Sequence, residues 1–400
     1  MENNNFIIVG QQPWDTQIGS NCKDIALEIS KRNKVLYVNS PLDRITSLRS
    51  RGDDPVQRRL DVIEGKATGL VQVADNIWNL YPDCIVESIN WLGIPALFDW
   101  INRRNNRRFA KSILTAIDKL GFEDYYLFND NEIIKCFYLT EYLRPKQRIY
   151  YSRDYILATP YWKKHGQRLE PLVIAANDLC VANSAYLADY CRQYNANAYD
   201  VGQGCDFNTD TAPLLNTPDE LRGMTDRPIV GYVGALHSLR LDVAIIEHIA
   251  LSKPEWQLVL VGPEDDGFAQ SSLHQLGNVL FVGQRQPKEL PAYIQRFDVC
   301  INPQQVNHLT IGNYPRKVDE YLVMGKPVVA TSTRAMECFA DFVFLADDRY
   351  QYVGLIERAL QTDTPALADQ RKEFARNHTW ENSVAAIYGA ITEVENNHRK

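Results

Sequence analysis

The stretch Asn307–Thr331, NHLTIGNYPRKVDEYLVMGKPVVAT, concentrates residues that can do chemistry. Pro315 suits the first position of a helix, where its missing N–H would be unpaired anyway. Gly325 suits the left-handed position just past a helix end. The spacing therefore predicts a three-turn helix over Pro315–Met324, running into a buried strand at Pro327–Ala330. A helix start presents free N–H groups and a positive dipole end, which favour a phosphate. Lys317 falls in the first turn, where a cation normally opposes the dipole and a nearby anion would explain it. Glu320 lies three residues on, on the same face, and suits acceptance of hydrogen bonds from two ribose hydroxyls. The spacing fits equally a solvated ion pair of Glu320 with Lys317 or Arg316.

Other candidates lie in the first half. Tyr150–Tyr155, YYSRDY, ends a strand, and Asp154 there suits a general base that deprotonates a hydroxyl. It suits a helix cap ahead of Tyr155–Leu157 just as well. Gly19-Ser20-Asn21, after Trp14 and Asp15, opens the first predicted helix. No Asp-x-Asp pair occurs, so a diphosphate would be neutralised by Lys, Arg and helix amides, with no essential metal and no cofactor expected. The eight Cys show no Cys-x-x-Cys spacing and read as small buried hydrophobes in a reducing compartment.

These residues need a scaffold. With 400 residues, two domains are expected. Hydrophobic residues make up 45% and charged residues 23%, which excludes disorder or coiled coil as the main architecture. The net charge of −7 argues against a general nucleic-acid binder. Residues 1–207 carry 25 basic and 25 acidic side chains, so the whole excess falls on the remainder. Short apolar runs alternate with helical stretches: Phe6–Val9, helix Asn21–Arg32, Val35–Val38, Tyr125–Phe128, helix Asn131–Tyr142, Arg148–Tyr151, Leu179–Ala182, helix Ser184–Tyr194 and Ala198–Val201. Asn208–Arg227, rich in Thr, Pro, Asp and Asn, reads as a linker. A second alternation follows with Ile229–Val233, Gln257–Val261, Val279–Val282, Val299–Ile301 and Pro327–Ala330. Such alternation means α/β architecture: two doubly wound Rossmann-like domains facing a cleft, with ligands beyond the carboxyl ends of the strands. The expected boundaries are 1–207, 208–378 and a terminal helix over 379–400 that returns across the domain junction.

The motif Pro315-x-Lys317-x-x-Glu320-Tyr321-Leu322-x-x-Gly325-Lys326-Pro327-Val328-Val329 resembles the nucleotide-sugar motif of group 1 glycosyltransferases with the GT-B fold. Gly231–Gly234, Leu258–Gly262, Asn278–Gly283, Glu289–Tyr293, Phe297–Val299 and the Trp380 helix resemble the rest of their C-terminal domain in order. Val201–Asp206 resembles their domain-junction turn. Within the group, the closest likeness is to enzymes of bacterial surface-polysaccharide assembly. The resemblance implies a transferase that moves a sugar from a UDP or GDP sugar to a hydroxyl of a lipid-linked or polysaccharide acceptor. It implies that Lys317 holds the donor diphosphate with the 314–317 amides, beside Asn313 and Tyr314. Glu320 would bind the ribose, Gly234 would let the backbone approach the phosphates, and Arg285 would sit by the base through its backbone. Trp14, Gly19 and Ser20 would face the acceptor. Two departures stand out. Many relatives carry a second Glu where this chain has Gly312, and Gly234-Ala235-Leu236-His237 replaces a Gly-Arg-Leu run. Arg240 is then the nearby candidate phosphate ligand, or a helix-surface Arg.

Ile89–Leu114 joins apolar and aromatic residues, Trp91 and Trp100 among them, to Arg103, Arg104, Arg107, Arg108 and Lys111. That is the pattern of an interfacial helix on an anionic leaflet, or of an ordinary helix with solvated bases. No apolar run reaches 18 residues, and no leader pattern opens the chain, so a cytoplasmic location is expected, peripheral on the inner face of the membrane. Two other functions remain open: a nucleotide-sugar 2-epimerase of the same fold, and a non-catalytic two-domain small-molecule binding protein.

Overall fold

The computed structural model describes residues 1–16, 20–50, 52–205 and 216–398. They divide into two compact units, Met1–Gly204 with Trp380–Lys400, and Cys205–Thr379.

The first unit is built on an eight-stranded sheet. Its order is Ala198–Asp200, Leu179–Ala182, Gln147–Ser152, Tyr126–Asp130, Asn5–Gly10, Lys34–Asn39, Ile77–Leu80 and Leu70–Ala74. All neighbours are parallel except the last pair, which is antiparallel. A parallel strand must bury both faces, which explains the near-continuous apolar runs. Phe6, Ile8, Val35, Tyr37 and Phe128 meet helix Asn21–Ser30, while Ile7, Val9, Leu36 and Leu127 meet helix Pro95–Leu120. The terminal helix Trp380–His398 belongs to this unit: Trp380, Val384, Ile387 and Ile391 are buried with Ile25 and Ile29. Each such fully buried Ile or Val stabilises by roughly 1.5–3 kcal/mol. The Trp380 ring lies where a side chain at position 204 would be, 2.3 Å from an ideal Cβ, so only Gly204 fits.

The second unit carries a six-stranded parallel sheet. Its order is Val279–Gly283, Gln257–Val261, Ile229–Val233, Val299–Asn302, Val328–Thr331 and Phe344–Ala346. One face packs on helices Val243–Ser252 and Gln351–Thr362, the other on Leu290–Arg296 and Arg316–Val323.

Three local expectations need correction. The helix expected over Asn131–Tyr142 is confined to Leu139–Leu143. Asn131 is left-handed at φ 54°, and the Asn129 and Glu132 side chains capture the amides of Glu132, Ile134 and Lys135. Such local side-chain bonding competes with helix. The basic segment becomes helical only at Pro95, with Ile94 extended before it, because Pro fits the first helical turn. The short strands Ile77–Leu80, Leu70–Ala74 and Phe344–Ala346 escaped the pattern reading, since runs of three to five residues carry little periodic signal.

Candidate active site

In the second unit, the strand Ile229–Val233 ends in a turn at Gly234, whose φ of 140° only glycine adopts without strain. The space where its Cβ would project is taken by the Lys317 ammonium, 2.6 Å away. Lys317 reaches that seat from the first turn of helix Arg316–Val323, with Pro315 as the residue before it. Its Nζ donates to the Tyr232 hydroxyl at 2.5 Å and lies 4.5 Å from that ring's centre. No Lys317–Glu320 or Arg316–Glu320 ion pair within 4.0 Å exists among the described residues, so the ion-pair alternative read from spacing is not the arrangement formed. Glu320 sits one turn on, and burial pushes its carboxyl up, against the opposing pull of Lys317 and Arg316. A cation over a glycine turn at a helix start is an arrangement that can hold a diphosphate.

The other donor candidates are distributed around this node. The Asn313 amide closes a turn on the Thr310 carbonyl at 3.0 Å. The Tyr314 side chain turns inward, its hydroxyl 3.1 Å from His378 Nδ1, so only its backbone is available to a ligand. Arg285 donates to the Tyr293 hydroxyl at 2.9 Å and pairs with Glu220. Its guanidinium is thereby engaged, and its backbone is what remains for a base. Arg240 is exposed, and its backbone carbonyl accepts from Gln305.

Sequence reasoning missed Asp319. It is fully buried, accepts from His378 Nδ1 at 2.6 Å and receives the Cys205 thiol at 3.4 Å. This network fixes the helix that carries Lys317 and Glu320 against the 378 turn. The available signal was a carboxylate on the apolar face of a helix, which must be paired when buried.

In the first unit the polar node lies at the carboxyl ends of strands Asn5–Gly10, Tyr126–Asp130 and Gln147–Ser152. Arg153 is bound to the fully buried Asp130 at 2.8 Å and to Gln11 Oε1 at 2.8 Å. Asp154 stands at its edge, half exposed and 3.1 Å from Arg153. The short helical turn that follows begins after Tyr155, so the cap position falls on Tyr155. Trp14 packs edge-on to Tyr37, and its backbone accepts from Lys23. Ser20 is the N-cap of helix Asn21–Ser30, yet its buried hydroxyl caps no amide and has no partner among the described residues. Gly19 lies outside the described residues. Among the described residues no cluster of three His, Cys, Asp or Glu has metal-binding geometry, and no helix is long and apolar enough to cross a membrane.

Residues 227–361 match the family described as glycosyl transferases group 1. That stretch lies within the second unit. A Bacillus subtilis (strain 168) protein, TuaH, named as a teichuronic acid biosynthesis glycosyltransferase, is 30% identical over 159 residues. That stretch covers 38% of this chain and 40% of TuaH, so the match spans less than half the length of either protein. Anabaena HepE in complex with UDP is 15% identical, with a TM-score of 0.66 covering 98% of this chain and 100% of that one. The lipopolysaccharide outer core galactosyltransferase WaaB is 10% identical, with a TM-score of 0.61 covering 98% and 99%. These likenesses establish the GT-B fold for the whole chain. Lys317, Gly234 and Glu320 all fall within the matched stretch.

Proposed function

We propose that the protein is a glycosyltransferase that moves a sugar from a nucleotide diphosphate sugar to a hydroxyl of a polysaccharide-related or lipid-linked acceptor. One observation carries the reading: the Lys317 ammonium lies over the Gly234 turn at the head of a helix, with Glu320 one turn further on. Lys317 and the helix-start amides take the diphosphate and stabilise the leaving nucleotide without a metal. Glu320 takes the ribose, and Asp154 is the candidate base for the acceptor hydroxyl. The HepE complexes hold UDP and UDP-glucose, which makes these the first ligands to test. A thermal-shift series with UDP, GDP and their sugars should give a shift for one nucleotide and none for inorganic phosphate at equal concentration. No shift with any nucleotide would reject the reading. Activity should survive excess EDTA; full loss reversed by Mg²⁺ or Mn²⁺ would reject the metal-free part.

The same reading includes peripheral contact with an anionic membrane. Leu97, Trp100, Arg104, Arg107 and Lys111 follow one exposed line along helix Pro95–Leu120, and Trp91 and Ile94, 68% and 63% exposed, precede it. Arg104, Arg107 and Lys111 form no ion pair among the described residues. Arg103 and Arg108 do not share that freedom: Arg103 pairs with Glu141, and Arg108 reaches Glu87 at 3.3 Å. The interfacial role therefore rests on Arg104, Arg107 and Lys111.

A further inference from the structure

A cavity of about 520 Å³ opens in the first unit at the carboxyl side of its sheet, well away in sequence from every donor residue. Its size is that of a small-molecule site. Val86, Ile89 and Phe109, almost fully buried, line its interior. Ile45, Trp91 and Tyr161 also line it while remaining 40%, 68% and 57% exposed, so they form an apolar mouth continuous with the aromatic surface ahead of helix Pro95–Leu120.

The polar groups inside are unequally satisfied. Asn102, Asn105 and Asn106 spend their amides on Ile134, Glu87 and one another. Asp43 accepts from the Thr46 amide, the Thr46 hydroxyl and Ser88. Glu87 is paired with Arg44 and Arg108, and Lys164 donates to the Trp91 carbonyl at 2.7 Å. The Lys135 ammonium makes no ion pair within 4.0 Å and no hydrogen bond among the described residues, although its charge helps hold the Asp43 carboxyl below its usual range. The buried Asn90 Oδ1 also lacks a donor. A half-buried ammonium whose donors are unfilled keeps the capacity to hydrogen-bond an incoming anion. A second cavity of about 330 Å³ shares Pro41, Asp43 and Thr46 with the first and extends to Pro13 and Asp15, beside the candidate acceptor loop.

We infer that this cavity binds the phosphate end of a lipid-linked acceptor, with Lys135 on the phosphate and Ile45, Trp91 and Tyr161 around the first part of the hydrocarbon chain. The inference deepens the glycosyltransferase reading and rests on it for the word acceptor. The shared residues lead from this cavity toward Pro13 and Asp15, which flank Trp14, so a sugar attached to the phosphate would extend toward the candidate acceptor loop. Asn90 Oδ1 would accept one of its hydroxyls.

The test uses the full chain and three probes: farnesyl phosphate below its aggregation limit, farnesol, and inorganic phosphate, each titrated by calorimetry. Farnesyl phosphate should bind at least tenfold tighter than either of the others. Lys135→Met should weaken farnesyl phosphate at least tenfold and leave farnesol within twofold. Trp91→Ala with Tyr161→Ala should weaken both farnesyl probes. UDP, titrated in the same samples, should bind all variants alike and should not displace farnesyl phosphate. Absence of saturable farnesyl phosphate binding overturns the inference, as does equal affinity for inorganic phosphate or indifference to Lys135→Met. If UDP binds while farnesyl phosphate does not, the cavity assignment fails alone; the reverse outcome removes the donor reading and keeps the cavity as a lipid-phosphate site.

Discussion

Gly234→Ala tests the donor site without altering a charge. An alanine Cβ at position 234 would lie 2.6 Å from the Lys317 ammonium and 2.9 Å from the Tyr232 hydroxyl, closer than real contacts allow. The strand end is backbone and cannot yield, whereas Lys317 is the end of a flexible chain, so the ammonium moves. The φ of 140° adds local strain of order 1–3 kcal/mol, partly offset by about 0.4–1 kcal/mol from the less flexible unfolded chain. A charge-assisted contact of lysine to a diphosphate contributes about 1.5–3 kcal/mol, so Lys317→Ala should weaken UDP binding roughly 10- to 150-fold. Gly234→Ala should lose a large part of the same term by displacement. With Lys317 already removed, Gly234→Ala has no ammonium to displace and should cost UDP binding less than about 0.5 kcal/mol. The double-mutant cycle should therefore show coupling of about 1–2 kcal/mol, read by calorimetric titration of UDP into four proteins whose folding is checked by urea melts. Additive penalties, or a Lys317→Ala variant that binds UDP like the parent, would refute the assignment of Lys317 to the diphosphate.

Glu320→Gln should weaken UDP binding while leaving inorganic diphosphate nearly unaltered; equal losses would count against the ribose role. Since burial raises the Glu320 carboxyl, UDP affinity should fall as pH drops through that raised value, and Glu320→Gln should flatten the profile. Asp154→Asn should abolish transfer and spare UDP binding, and near-normal turnover would leave Asp154 a purely structural partner of Arg153. Glu170, buried between the Tyr150 and Tyr190 hydroxyls, is raised from 4.5 to about 7 by desolvation. The folded state holds that proton longer than the unfolded one, so stability is fully present below pH 4.5 and falls as pH rises through 7. The loss approaches about 3 kcal/mol at 1.36 kcal/mol per unit, and urea melts of Glu170→Gln should lose this slope between pH 5 and 7. Changing Arg104, Arg107 and Lys111 together to Gln should reduce binding to vesicles containing anionic lipid at low salt, without changing UDP affinity. If the parent protein ignores such vesicles, the helix is an ordinary solvated one.

The sequence by itself determined the fold class and marked the candidate donor helix, because both are written locally. Short apolar runs rich in β-branched residues, such as Phe6–Val9 and Leu258–Val261, are too short for helices and recur between helical stretches, which marks them as strands buried on both faces, and Pro315 and Gly325 delimit a helix. Lys317 and Glu320 were legible for the same reason, being three residues apart on one helix. What only the tertiary structure decided depends on partners distant in sequence. The Lys317 ammonium meets Gly234 and Tyr232 across more than eighty residues, and that meeting, rather than Glu320, sets its direction. Arg103 and Arg104 are neighbours of identical type, yet Glu141 neutralises one while the other faces solvent. Asn131–Tyr138 has helical spacing, but side chains of Asn129 and Glu132 capture its amides first. Asp130 with Arg153 and the cavity behind Trp91 have no local signature at all, and the helix face that marks Asp319 as buried does not name His378 as its partner. Each joins groups from separate elements, and burial makes a polar group choose its partner in space, not along the chain.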